Sequence, residues 1–266
     1  MAAELVDIGI NLTHRSFDRD RDAVVARAAA AGVTTLVITG TSVRDSERAA
    51  QLARARPAST FATAGVHPHH AKDCDATTIA TLRALAEENN VVAIGECGLD
   101  FNRNFSPPDV QERWFEAQLE LAAEVGLPVF LHERDAADRM VAILEKHRPK
   151  LRGGVVHCFT GTTATVKRYL TLDLHIGITG WICDERRGAS LVEAVTSIPL
   201  DRLMVETDGP FLLPRTLGGK AAKERRNEPA FLPEVVKGLA RAMRRDEREL
   251  AAETTRTARR FFGIAG

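Results

Sequence analysis

The sequence predicts an α/β protein of the (β/α)8 or TIM-barrel class, of the metal-dependent hydrolase type, and three observations carry that expectation. Eight short apolar runs alternate with helix-like stretches along the whole chain. The length, 266 residues, suits such a barrel, which takes about 250. Four of the runs deliver a metal-type ligand at or just past their C-terminal ends: VVAIGE ends at Glu96, PVFLHE reaches His132, GGVVHCF carries His157, and RLMVETD closes on Asp208. The C-terminal ends of parallel barrel strands converge on one face, so residues more than a hundred positions apart can meet there.

In chain order, the strand candidates are ELVDIGI, TTLVITG, STFATAGV, VVAIGE, PVFLHE, GGVVHCF, DLHIGITG and RLMVETD. Most are rich in β-branched residues, as expected of strands buried on both faces. Helices are expected between them over 18–31, 43–55, 77–88, 108–125, 135–147, 163–170 and 188–196, with two more over 232–244 and 246–261. Gly126 followed by Pro128 stops the fourth helix, and Gly32 stops the first in the same way. Pro107 and Pro108 open the fourth, where a missing N–H costs nothing. No linker or low-complexity tract divides the chain, so one domain over 1–266 is expected. A doubly wound open sheet is the rival, but Asn11-Leu12-Thr13-His14 follows the first strand where a glycine-rich phosphate loop would stand.

Lys plus Arg equals Asp plus Glu at 36 each, so no global basic field draws in a polyanion and a nucleic-acid substrate needs local positive charge. The four cysteines show no CxxC spacing, and Cys97 and Cys158 directly follow Glu96 and His157. That arrangement favours a reducing, cytoplasmic setting. The N-terminus reads unlike a signal peptide, and no run approaches the roughly 20 apolar residues of a membrane span.

A carboxylate such as Glu96, behind a buried apolar run, must be paired, hydrogen-bonded or metal-bound. His132 and His157 repeat one arrangement on successive strand ends, and Asp208 offers a carboxylate that can bind metal or take a proton. Two imidazoles and two carboxylates suit Mg, Mn, Zn or Fe. His67 in AGVHPHH, with His69 and His70 behind it, can bind metal, donate to a phosphate oxygen or protonate a leaving group. Arg134 lies two residues past His132. The Arg186-Arg187 pair and the Lys220/Lys223/Arg225/Arg226 cluster are further phosphate candidates. Phe101, Phe105, Phe159, Trp181 and Phe211 fall on loops after strands, where aromatics can stack on bases.

The stretches DIGINLT, ITGT, AGVHPH, VVAIGECGLDFNRNFS, PVFLHERDA, HCFTGT, IGITGWICDERRG, ETDGPFLLPR, RRNEP and FFGIA resemble the TatD family of metal-dependent deoxyribonucleases, in its bacterial TatD branch. The likeness spans essentially the whole chain. It implies a TIM barrel, a divalent metal (Mg being the usual choice, with Mn or Zn as alternatives), and 3′–5′ exonuclease action on single-stranded DNA, with RNA as a further substrate. It also implies Glu96, His132 and His157 as metal ligands, Asp208 as base or additional ligand, and His67 at metal or phosphate. His69, Arg134 and Arg186 are then the substrate-binding candidates on a cytoplasmic, monomeric protein. Many relatives open with D-x-H-x-H, where this chain reads Asp7-Ile8-Gly9-Ile10-Asn11, so a second metal site is expected to be weakened or missing. The alternative enzyme is an amidohydrolase-type hydrolase of a small amide, lactone or phosphotriester, disfavoured because no Lys stands at a strand end to bridge two metals. A non-enzymatic accessory role is disfavoured by the presence of all four ligand positions.

Overall fold

In the computed structural model, which describes residues 4–186 and 188–265, eight strands form one sheet in the order β1-β2-β3-β4-β5-β6-β7-β8. The strands are β1 (Leu5–Ile10), β2 (Val33–Ile38), β3 (Thr60–Ala64), β4 (Val91–Asp100), β5 (Val129–Arg134), β6 (Gly154–Val156), β7 (His175–Ile178) and β8 (Leu203–Val205). Chain order with parallel pairing makes this a (β/α)8 barrel, because each crossover helix returns the chain to the same end of the sheet. The helices are α1 (Arg21–Ala30), α2 (Val43–Arg54), α3 (Thr78–Ala86), α4 (Pro108–Val125), α5 (Ala137–His147), α6 (Thr163–Thr171), α7 (Ala189–Val195), α8 (Gly219–Glu224), α9 (Leu232–Met243) and α10 (Glu247–Phe262). No helix of the described residues is long and apolar enough to cross a membrane.

The predicted boundaries hold best where punctuation residues act. Helix α4 runs Pro108–Val125 and ends in Gly126 at φ +69°, the left-handed cap that only glycine adopts without strain. Gly32, at φ +87°, closes α1. The first helix starts later than expected, at Arg21, because a separate 3-10 turn at Arg15–Phe17 precedes it. The short helix α8 was not anticipated: six residues carry too little periodicity to read.

Two compact units divide the chain, one holding Met1–Val37, Cys158–Leu170 and Ile176–Gly266, the other Ile38–His157 and Thr171–His175. In the first, Asp208 N–H donates to Gly9 O at 2.8 Å, Asn11 N–H donates to Gly209 O at 2.9 Å, and Ile10 bridges Gly209 in parallel. These bonds join β1 to the segment after β8. Arg226, one of the expected phosphate candidates, is held here by both carboxylate oxygens of Asp20 at 2.8 Å and donates to Ser16 O, so it ties loops together. Arg187 and the side chain of Lys220 lie outside the described residues.

In the second unit, β4 runs four residues beyond the expected end at Glu96 and is buried throughout. Its pairing with β5 slips between Gly95 and Cys97, which leaves Glu96 as the extra residue of a bulge, and then continues through Gly98–His132 to Asp100–Arg134. Gly98 makes that continuation possible. At φ +141°, a Cβ there would meet His132 O at 2.0 Å, so only glycine lets β4 and β5 stay paired past the bulge.

Candidate metal and catalytic site

Five of the residues expected at the site meet in the second unit. Glu96 is placed by the bulge, with its N–H donated to Gly40 O at 2.7 Å. His132 stands on β5 opposite Gly98, and His157 follows β6, its N–H bonded to Leu131 O at 2.9 Å. His67 caps the 3-10 helix Pro68–Asp73, and Pro68 at its first position stiffens the turn that also presents His69.

A single carboxylate oxygen, Glu96 Oε1, collects three imidazole nitrogens: His157 Nε2 at 2.7 Å, His132 Nδ1 at 2.9 Å and His67 Nε2 at 3.4 Å. Burial pushes the Glu96 carboxyl up, but the imidazoles of His157, His67 and His132 reverse this and hold it well below the ordinary carboxylate range. Burial likewise depresses His132, yet the flanking carboxylates of Asp100 and Glu96 leave it above the usual histidine value. His67, depressed by burial and by neighbouring His132, is held well below that value and is neutral at pH 7.

The donor set suits a divalent ion. One ligand atom from each of His67, Glu96 and His132 lies within 4.8 Å of the other two, and His157 Nε2 faces the same Glu96 oxygen more closely than His67 does. The tautomer of His67 is set by its own loop. Its Nδ1 accepts the His69 N–H at 3.1 Å, so its proton sits on Nε2, which donates and has no lone pair for a metal. In that tautomer His67 faces Glu96 as a hydrogen-bond donor.

His132 Nε2 is buried without a close hydrogen-bond partner. Asp100 Oδ2 stands 3.5 Å away and binds His69 Nε2 at 2.7 Å. Its other oxygen accepts the N–H groups of Asn102 and Arg103. Burial tends to raise this carboxyl, but His132, the Arg103 N–H and His69 together hold it far below the carboxylate range. Asp100 was missed in the sequence. Beyond the bulge the side chains alternate, and residues at positions 98 and 100 share a face, so following the run past GEC would have found it. Arg134 is exposed at the end of β5. His70 is exposed and faces Asp73 at 3.4 Å.

Asp208 and Arg186 belong to the first unit. Asp208 has φ +54° and accepts Asn11 Nδ2 at 2.9 Å. Two residues before it, Glu206 is fully buried and accepts the Cys158 N–H at 2.5 Å; sequence reading also passed it over. Asp7 is fully buried against Thr207, which donates its hydroxyl at 2.5 Å and its N–H at 2.9 Å. Burial outweighs these bonds and pushes the Asp7 carboxyl up to about 7. Arg186 is exposed, with Nε 3.8 Å from Asp184.

Fold and site together define a metal-dependent hydrolase built on a (β/α)8 barrel. The chain belongs to the TatD related DNase family, whose model matches residues 6–263. A protein of Erwinia tasmaniensis named 3′-5′ ssDNA/RNA exonuclease TatD is 54% identical over 260 residues, covering 98% of this chain and 100% of that one. A protein of the same name from Pantoea sp. is 54% identical over 261 residues, covering 98% and 100%. Among solved structures, the YjjV TatD homologue of Escherichia coli K12 matches with a TM-score of 0.89 and 28% identity over 100% of both chains.

Proposed function

We propose that this chain is a metal-dependent 3′–5′ exonuclease that hydrolyses phosphodiester bonds in single-stranded DNA, with RNA as a second substrate. The observation that supports it most is the convergence of His132 Nδ1 and His157 Nε2 on Glu96 Oε1, together with relatives named as exonucleases along nearly their whole length.

Glu96, His132 and His157 are the proposed ligands. A divalent ion held by them would supply Lewis-acid polarisation of the phosphodiester and would offset its negative charge. Mg is the proposed ion, on the family likeness alone; the two imidazole donors suit Mn or Zn at least as well. Asp100 orients His132 through Nε2, keeping Nδ1 turned toward the ligand cluster. His67 donates from Nε2 to a phosphate oxygen as charge builds on it. Asp208 takes the proton of the attacking water. His69, Arg134 and Arg186 contact the substrate backbone. The chain is proposed to work as one domain over 1–266, as a monomer, in the cytoplasm, where its four free cysteines stay reduced.

The test is digestion of single-stranded DNA labelled at either end, with Mg, Mn, Zn or EDTA. The 5′-labelled strand should give a descending ladder and the 3′-labelled strand an immediate mononucleotide, both abolished by EDTA. An amidohydrolase-type enzyme would leave DNA intact under every metal and cleave a small ester, lactone or phosphotriester instead.

A further inference from the structure

The loop after β4 displays a phenyl ring that the chemistry above does not use. Phe105 is 53% exposed, one of three large apolar side chains left open among the described residues. Slack backbone does not explain this. The N–H groups of Asn102 and Arg103 are fastened to Asp100 Oδ1, and Asn104 folds back on Phe101 O. The next residue, Ser106, is fully buried, bonded to His69 O at 3.0 Å and to Lys72 N–H at 3.0 Å. The ring is thus held out of the core by a loop pinned on both sides of it.

Its neighbours belong to the site. Phe105 packs edge-on against His69 with centroids 4.7 Å apart, and the Arg103 guanidinium lies 5.9 Å from its centroid. His69 touches His67 at 4.3 Å, and His67 touches His132 at 4.2 Å. A continuous row of rings therefore leads from the ligand cluster to an open aromatic surface with a cation beside it. A flat aromatic ligand joined to an anion, as a nucleobase is joined to its phosphate, matches that pairing of phenyl and guanidinium.

We propose that Phe105 is a stacking platform for one nucleobase next to the scissile phosphate, with Arg103 drawn to that nucleotide's phosphate. This rests on the nuclease reading and adds a subsite to it. Stacking of this kind does not read sequence, because every base offers a π-face, so the subsite would hold the strand without selecting among bases.

The experiment is steady-state digestion of single-stranded oligonucleotides by wild type, Phe105→Ala and Phe105→Trp, repeated with a single abasic nucleotide at each of the three 3′-terminal positions. The Ala variant should raise KM by about 5- to 150-fold, the range for one lost base–aromatic stack, with little change in kcat. The Trp variant should restore wild-type KM. At one position the abasic nucleotide should raise the wild-type KM by a similar factor and leave that of Phe105→Ala unchanged. An unaltered KM in Phe105→Ala, or an abasic effect of equal size in both proteins, would overturn the platform while the nuclease stands. Absence of DNA cleavage by wild type would overturn both.

Discussion

Asp100→Asn isolates the role of a carboxylate that touches no proposed substrate atom. The asparagine keeps Oδ1, so the N–H groups of Asn102 and Arg103 retain their acceptor and the loop stays in place. In place of Oδ2 it presents an NH2 group, a donor, to His69 Nε2 at about the former 2.7 Å and to His132 Nε2 at about the former 3.5 Å. His132 Nε2 then has reason to accept, which holds a proton on Nδ1, the nitrogen facing Glu96, where an ion would have to displace it. A protonated Nδ1 offers no lone pair to an ion. Loss of such an outer carboxylate typically lowers metal affinity about 10- to 100-fold, or roughly 1.4–2.7 kcal/mol. Calorimetric titration of metal-free wild type and variant with Mn and Mg measures this directly, with circular dichroism to show that both are folded. A folded variant that binds metal within twofold of wild type would refute the positioning role.

Three further outcomes follow from the same geometry. His67→Gln should leave metal affinity unchanged and lower kcat on the order of 10²-fold, because His67 donates from Nε2 and does not ligate; a large loss of metal affinity would reverse that assignment. For Asp7, whose folded value of about 7 lies above the unfolded 3.8, the protonated form is favoured by folding, so its stabilisation is complete below about pH 4 and lost as pH rises through 7. Asp7→Asn should therefore unfold at higher denaturant concentration than wild type at pH 8, by at most about 4 kcal/mol, with the gap closing toward pH 4. Gly98→Ala should fail to give soluble, folded protein, since its Cβ would meet His132 O at 2.0 Å on a backbone at φ +141°; a normally folded variant would mean that β4 and β5 can separate without cost.

The legible parts of this chain are those set by local chemistry. Apolar β-branched runs marked all eight strands, and proline at one end with glycine at the other bounded α4 at Pro108 and Val125. His132 and His157 were readable because each follows such a run at the end where barrel ligands gather. What stayed hidden depends on contacts distant in sequence or on small backbone irregularities. The bulge at Glu96 carries β4 on to Asp100, and nothing in the composition of GECGLDF announces a register slip. Asp7 and Thr207 are 200 residues apart, so their bond has no local signature. The Arg226 cluster looked like a phosphate patch because charge alone cannot show that Asp20 already holds one of its members.

The most direct test of the central claim is digestion of 5′-labelled single-stranded DNA with Mg by wild type, Glu96→Ala and His157→Ala, each first shown to be folded by near-ultraviolet circular dichroism. Wild type should produce a ladder shortening from the 3′ end, lost with EDTA, while the two folded variants leave the strand intact. Full activity in both variants would contradict a nuclease built on these ligands.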